Sequence, residues 1–153
     1  IDNQNPIPIP SGTAINSFWK QIYLKVTGGT FTQIDNVKFY TDGGGFGTGI
    51  TTFVGDQLPV KNSGANTGYV VATGTTGTSG NAMVASHAGI SAQTDAFSFT
   101  SGSPLSITIS EAGGLMNATN ETTNYLVTQM NVASTAGPGN LADETWTYQY
   151  DEI

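Results

Sequence analysis

Histidine-dependent catalysis in this chain would have to rest on one residue, because His87 is its only histidine. Ser86 precedes it directly, so on a strand the two side chains would point to opposite faces. No G-x-S-x-G turn surrounds Ser86. We therefore interpret His87 as a structural or surface histidine and not as the centre of a serine–histidine site.

Two short motifs match catalytic patterns in spacing only. Ser17 and Lys20 have the S-x-x-K spacing of penicillin-recognising enzymes, whose serine opens a helix, but the surrounding residues alternate like a strand. The run GGGFGTG at 43–49 resembles a phosphate-binding glycine loop in composition. Such a loop needs a following helix, and ITTFVGDQLPV is not helical in pattern. We predict a bulge, a wide hairpin or a closely packed loop there.

Carboxylates are the remaining candidates for chemistry, with eleven in the chain. Glycosidases need two of them about 5–9.5 Å apart, one with a raised pKa. The pairs Asp143-Glu144 and Asp151-Glu152 are adjacent in sequence and are expected in solvent, where both members stay ionised. The sequence singles out no buried acid, so we predict that the chain is not an enzyme.

Calcium is the one metal that the sequence favours, since it takes carboxylate, amide and carbonyl oxygens as ligands. Asp35, Asp42 and Asp56 lie near the ends of predicted strands, where such sites form in β-sandwiches. Their spacing matches no EF-hand or repeat. The expectation is that no cofactor is bound, with calcium at these residues as the open alternative.

The aromatic residues have two interpretations. Exposed, they would stack on sugar rings; buried, they would fill the core or a subunit contact. Three of them alternate on one face of the last predicted strand, which favours burial. The six are Trp19, Tyr23, Tyr40, Trp146, Tyr148 and Tyr150.

Composition limits the partners. The net charge is −7, arginine is absent, and no lysine follows Lys61. Nucleic acids and anionic membrane surfaces are therefore unlikely partners by charge, because both are bound through several basic contacts. No run of about 20 apolar residues exists to span a bilayer. Without cysteine, the fold cannot use disulfides or thiolate metal sites.

Alternating side chains predict the elements that position these residues. Residues 18–26 read as a strand with Ile22, Leu24 and Val26 on one face, and Gly28-Gly29 then turns the chain. Residues 74–81 are predicted to be a polar loop, and residues 82–89 to be a strand or a short helical turn. The other predicted strands are 34–40, 50–54, 58–60, 69–73, 96–100, 105–110, 124–132 and 145–150.

About eight to nine short strands predict an all-β fold, an antiparallel β-sandwich of jelly-roll or immunoglobulin-like type. Residues 13–153 are expected to form this single domain. Residues 1–12 are expected to form an extended arm that contacts a neighbouring subunit, because alternating prolines stiffen the backbone and a solvated tail would leave its isoleucines unused. The arm residues concerned are Ile1, Pro6, Ile7, Pro8, Ile9 and Pro10.

Both ends of the chain resemble known proteins. Residues 5–43 read NPIPIPSGTAINSFWKQIYLKVTGGTFTQIDNVKFYTDG, and residues 132–153 read VASTAGPGNLADETWTYQYDEI. These segments resemble virion structural proteins of tailed phages, of the capsid-decoration or cement type. The turn Ala136-Gly137-Pro138-Gly139 before the final strand is similar to the closing hairpin of immunoglobulin-like domains. The resemblance implies a structural role on a virion or an extracellular surface.

The function expected from these observations is that of a non-enzymatic structural subunit, joined to copies of itself or to a major shell protein. Two alternatives stay open. One is a carbohydrate-binding or adhesin module, for which glycans would be the partner. The other is a pilus or filament subunit in which the N-terminal arm completes a neighbour's sheet.

Overall fold

The computed structural model describes residues 7–57, 78–79, 94–139 and 141–153. These residues form two antiparallel sheets, which confirms the predicted all-β sandwich. Within the described ranges no helix is long and apolar enough to cross a membrane. The strands are β1 (Ile15–Ser17), β2 (Lys20–Ile22), β3 (Ile34–Thr41), β4 (Ile50–Gln57), β5 (Thr78–Ser79), β6 (Thr94–Asp95), β7 (Leu105–Ser106), β8 (Tyr125–Val132) and β9 (Trp146–Glu152).

The larger sheet is built around β8. Its strand order is β5-β1-β8-β4-β6, and β2 also pairs with β8. Strand β4 runs antiparallel to β8 from Ile50 opposite Val132 to Gln57 opposite Tyr125. Strands β1 and β2 share the other edge of β8. Strand β8 is paired on both edges, and its residues 126–129 are all buried.

The smaller sheet has the order β7-β3-β9. Its centre is Phe39, which lies opposite Leu105 on β7 and opposite Tyr148 on β9. A bulge between Asp35 and Lys38 shifts the register of β3 against β9. The predicted inward positions Val37 and Phe39 are both buried, which confirms the alternation seen in the sequence.

The core lies between the two sheets. Phe39 of the smaller sheet is packed in one cluster with Val54 and Leu126 of the larger sheet and with Met116 from the connection before β8. All four side chains are almost completely shielded from solvent. Partly buried aromatics border this cluster, among them Trp146 of β9.

The alternating segment 18–26 is not one strand, contrary to the sequence prediction. Strand β2 ends at Ile22, which is partly exposed, and pairing resumes only as an isolated bridge at Lys25. The physical reason is a side-chain hydrogen bond. The N–H of Leu24 donates to Thr123 Oγ1 at 3.1 Å, so a hydroxyl replaces the backbone carbonyl that a regular ladder would supply.

Residues 96–100 were also predicted as a strand, and this prediction is wrong. The strand is the short β6 at 94–95, and Ala96–Ser98 form a 3-10 turn. Asp95 causes the change, since its Oδ1 accepts the N–H of Phe97 at 3.2 Å and its carbonyl accepts Ser98 Oγ at 2.6 Å. Such local side-chain bonds offer the backbone an alternative to the sheet.

The remaining predictions have mixed outcomes. The strands at 34–40, 124–132 and 145–150 are confirmed as β3, β8 and β9, and the one at 50–54 continues to Gln57. The predicted loop 74–81 contains β5, which pairs with β1. The segments predicted at 58–60, 69–73 and 82–89 lie outside the described residues.

Candidate functional site

The three aspartates predicted as calcium ligands lie in different parts of the fold. Asp35 is the second residue of β3 and Asp42 follows its last residue, seven positions later, which is about 23 Å in an extended strand. Asp56 belongs to β4 in the other sheet, and its side chain lies outside the description. Among the described residues no group of three or more metal-ligating side chains is gathered. Asp35 and Asp42 therefore do not share one ion, and calcium at any single one of them stays a prediction.

Asp42 fastens the glycine-rich loop to the segment that leads into β9. Its Oδ1 accepts the N–H of Gly44 at 3.1 Å, and its Oδ2 accepts the N–H of Thr145 at 3.3 Å. The Glu144 carboxylate lies against the same turn: a Cβ placed on Gly44 would come within 2.9 Å of Glu144 Oε2. A side chain at position 44 would therefore require the end of the Glu144 side chain to shift.

These hydrogen bonds favour the charged form of Asp42. The N–H of Gly44 is the main reason that the pKa of Asp42 lies below its ordinary value of 3.8, and the N–H of Thr145 acts in the same direction. Because the pKa is lower in the folded chain, the stabilisation is fully present above the unfolded pKa. It is lost as the pH falls through the folded value.

We expect Asp42→Asn to lower the thermal midpoint at pH 7, because the amide keeps an acceptor for Gly44 but loses the charge that strengthens both hydrogen bonds. The difference from the wild type should shrink as the pH falls below about 3.8, where the aspartate itself is protonated. Thermal unfolding followed by circular dichroism between pH 2 and 7 measures this. Asp143→Asn, which removes an exposed carboxylate nearby, is the control. A constant difference across that range would contradict the assignment.

A cleft of about 310 Å³ opens beside this turn, between the glycine-rich loop and the loop that follows β8. Phe46 forms one wall and is fixed by an edge-to-face contact with Phe97, with ring centroids 5.4 Å apart. The volume is at the small end of ligand pockets. The lining residues are Phe46, Thr48, Ile50, Gly137, Pro138, Gly139, Leu141 and Ala142.

The described lining of the cleft is mostly apolar. Among these residues none is titratable, and Thr48 supplies their one side-chain hydroxyl. A general acid or base would have to reach the cleft from outside this lining. The described walls therefore favour contact with an apolar or ring-shaped group, held by aromatic and proline surfaces.

The two motif-like strings have structural roles. Ser17 is buried in β1, where its Oγ accepts the N–H of Met130 at 2.9 Å and donates to the carbonyl of Phe18. Ser17 and the exposed Lys20 lie in the two short strands β1 and β2 and not on one helix, as the alternation in the sequence predicted. The glycine-rich run 43–49 leads into strand β4 and not into a helix, also as predicted. His87 and Ser86 lie outside the described residues.

The three aromatic side chains on one face of β9 differ in how far they are buried. Trp146 and Tyr148 are partly buried and pack edge-to-face on Phe39, with centroids 5.4 and 5.7 Å away, which agrees with their predicted place in the core. Tyr150 is 45% exposed in the single chain, so it is not a core residue, and its place in a subunit contact stays a prediction. Tyr23 is exposed to the same extent and contacts Tyr125 at 5.3 Å.

The described part of the N-terminal arm, residues 7–10, forms neither helix nor strand, and Ile9 is 40% exposed. Ile1 and Pro6 of the predicted arm lie outside the described residues. Within the described ranges β9 and β7 are the outer strands of the smaller sheet, and β5 and β6 are those of the larger sheet.

Comparisons of the chain with models of protein families, with curated proteins and with solved structures found no significant match.

Sequence reasoning did not find the cleft or the β9 edge. The cleft contains Phe46 together with Pro138 and Leu141, which follow it by about ninety residues in the sequence. The β4–β8 pairing brings these two segments together. The sequence predicted a turn at Ala136-Gly137-Pro138-Gly139, but it did not predict that this turn would form a cleft with the glycine-rich loop. No sequence signal identified β9 as an edge strand, since alternation is the same in edge and central strands that bury one face.

Proposed function

We propose that this chain is a non-enzymatic structural subunit of an extracellular assembly, a capsid-decoration or shell-stabilising protein on a virion. The observation that carries the proposal is a pair of exposed apolar side chains at the end of β9. Exposed large apolar groups are candidates for contact with a partner.

These two side chains are Tyr150 on β9 and Ile153 just after it, and both are exposed. Asp151 and Glu152 supply charge at the end of the strand, but the stretch from Trp146 to Tyr150 has none. Exposed aromatic and aliphatic groups next to an uncharged stretch of strand are typical of contact surfaces.

The partner in this proposal is another copy of the chain or a major shell protein. Neither nucleic acid nor a membrane is proposed, because the net charge is −7 and only four lysines are present. The absence of cysteine also suits a subunit stabilised by burial and by contacts between subunits.

The proposal predicts that the purified chain self-associates. We expect the mass measured by light scattering to rise above the 15.9 kDa of one chain as the protein concentration increases. Because the driving contacts are between apolar surfaces, the assembly should persist at high salt. A mass that stays at one chain over the whole concentration range would contradict self-assembly.

A carbohydrate-binding module is the second candidate, and the exposed Tyr23 is the observation that favours it. This ring is held edge-to-face by Tyr125, and such fixed exposed rings stack on sugars. A glycan array read with and without a chelator tests this function and any role of calcium together. Binding that is lost in Tyr23→Ala would support the module; an array without signal would contradict it.

A further inference from the structure

The N-terminal arm and the cleft lie at the same end of the larger sheet. Ile15, Val132 and Ile50 lie opposite one another in a row across β1, β8 and β4. Because β1 and β4 both run antiparallel to β8, the arm before β1 leaves this row in the same direction as the loop before β4 and the loop after β8. Those two loops and Ile50 line the cleft. The first residue of β1 is therefore about 10 Å from the cleft, which is two strand spacings.

The sequence of the arm holds it extended. Pro8 and Pro10 fix their own φ angles, and each confines the isoleucine before it to extended conformations. Residues 7–10 are neither helix nor strand, and no hydrogen bond joins them to another described residue. Pro8 and Ile9 are exposed. The arm is thus a stiff apolar segment that loses little conformational entropy when it binds.

The walls of the cleft suit a segment of this kind. Grooves lined by aromatic rings bind proline-rich segments by packing the rings against the prolines, and they do not need the regular backbone donors of a strand. Phe46 supplies such a ring, which Phe97 holds in place, and Pro138 and Leu141 add apolar surface. The hydroxyl of Thr48 can donate to a carbonyl of a bound segment.

Charge favours the same pairing. The arm lies within residues 3–19, which contain no charged side chain, and residues 43–50 and 132–142 around the cleft contain none either. Bringing these surfaces together therefore buries no ion, and no charge is left without a partner in the contact.

A second copy has to supply the arm, because the single chain does not place its own arm in the cleft. None of the described residues that line the cleft belongs to residues 7–10. Ile9 of the arm and Leu141 of the cleft are 40% and 39% exposed in the single chain. Binding between copies would cover both side chains.

We propose that the cleft of one copy binds residues 7–10 of a second copy as an extended, polyproline-like segment. The proposal rests on the structural-subunit function above and names one of its contacts. Because the arm and the cleft lie at the same end of the chain, two copies can exchange arms about a two-fold axis and close a dimer. Tyr150 and Ile153, at the end of β9, are not part of this contact.

Two substitutions of exposed side chains test the contact. Ile9→Glu and Leu141→Lys each place a charge where the arm meets the cleft, and an unpaired charge is costly once it is removed from water. Each variant should dimerise at least about tenfold more weakly than the wild type in sedimentation equilibrium. Ile22→Glu adds a charge at an exposed isoleucine of β2 and is the matched control, which should dimerise like the wild type.

Mixing the two charge variants separates an exchange of arms from a folding defect. When the Ile9→Glu chain pairs with the Leu141→Lys chain, one contact is that of the wild type, and the other brings the introduced carboxylate and ammonium groups together. Each variant alone should stay monomeric at concentrations where the wild type dimerises. The equimolar mixture should form a one-to-one dimer, which native mass spectrometry identifies by mass.

The outcomes distinguish this contact from the structural-subunit function. If the wild type assembles and both charge variants assemble equally well, or if the mixture stays monomeric, the arm-to-cleft contact is wrong and the structural-subunit proposal stands. A wild type that is monomeric at every concentration contradicts both self-assembly and the exchange of arms. A thermal midpoint lowered in both charge variants would then place the arm in the cleft of its own chain.

Discussion

Phe39→Ala is expected to lower the free energy of unfolding by about 3–5 kcal/mol. Phe39 has no exposed surface and is the central residue of the smaller sheet. Truncation loses the transfer free energy of the ring and leaves a cavity that the paired strands on both sides prevent from closing. It also removes two edge-to-face contacts, with Trp146 and Tyr148.

Urea unfolding followed by tryptophan fluorescence and circular dichroism would measure this loss. Ile22→Ala is the control, because Ile22 is an exposed residue of β2, and its truncation should cost under about 1 kcal/mol. Equal unfolding midpoints for the two variants would contradict the central place of Phe39. The slope of the transition should be unchanged, since the exposed area on unfolding changes little.

Phe39 also links stability to the proposed assembly. Its ring packs on Tyr148, two residues before the exposed Tyr150 on the same face of β9. A variant defective in self-association must therefore be compared with Phe39→Ala in folding before its effect is assigned to the contact surface.

Strand β3 was predictable from the sequence because it buries every second residue from Val37 onward. Val37, Phe39 and Thr41 are buried, and this alternation gives the period of a strand. The short elements were not predictable by this rule. Thr123 Oγ1 interrupts the pairing at Leu24, and Asp95 closes a 3-10 turn; these single hydrogen bonds outweigh β propensity.

The sites were harder to predict than the strands. The sequence analysis grouped Asp35 with Asp42 as calcium ligands, although the predicted strand that begins beside Asp35 already holds the two apart, since an extended chain separates its ends. The position of β9 at the edge did not follow from any local pattern. It depends on which strands pair, and pairing is set by contacts between residues far apart in sequence, such as Phe39 with Tyr148.

Gly49→Ala is expected to lower the free energy of unfolding by about 2–4 kcal/mol. Gly49 has φ of +78°, where a side chain is strained. An added Cβ would lie 2.5 Å from the Ala136 nitrogen and 2.8 Å from Thr135 Oγ1. The loop after β8 would have to move away, yet Ala133 binds it in place by donating its N–H to the Gly49 carbonyl at 2.8 Å.

Two other glycines separate the two causes of this destabilisation, which are backbone strain and steric contact. Gly47 also has a positive φ, +101°, but a Cβ there meets nothing within 4 Å, so Gly47→Ala should show the cost of backbone strain alone. Gly137 has open space and no positive φ, so Gly137→Ala should be close to neutral. Urea unfolding of the three variants should rank Gly49→Ala as the most destabilising. If Gly47→Ala costs as much, contact with Ala136 contributes nothing, and the close approach of the two loops beside the cleft is wrong.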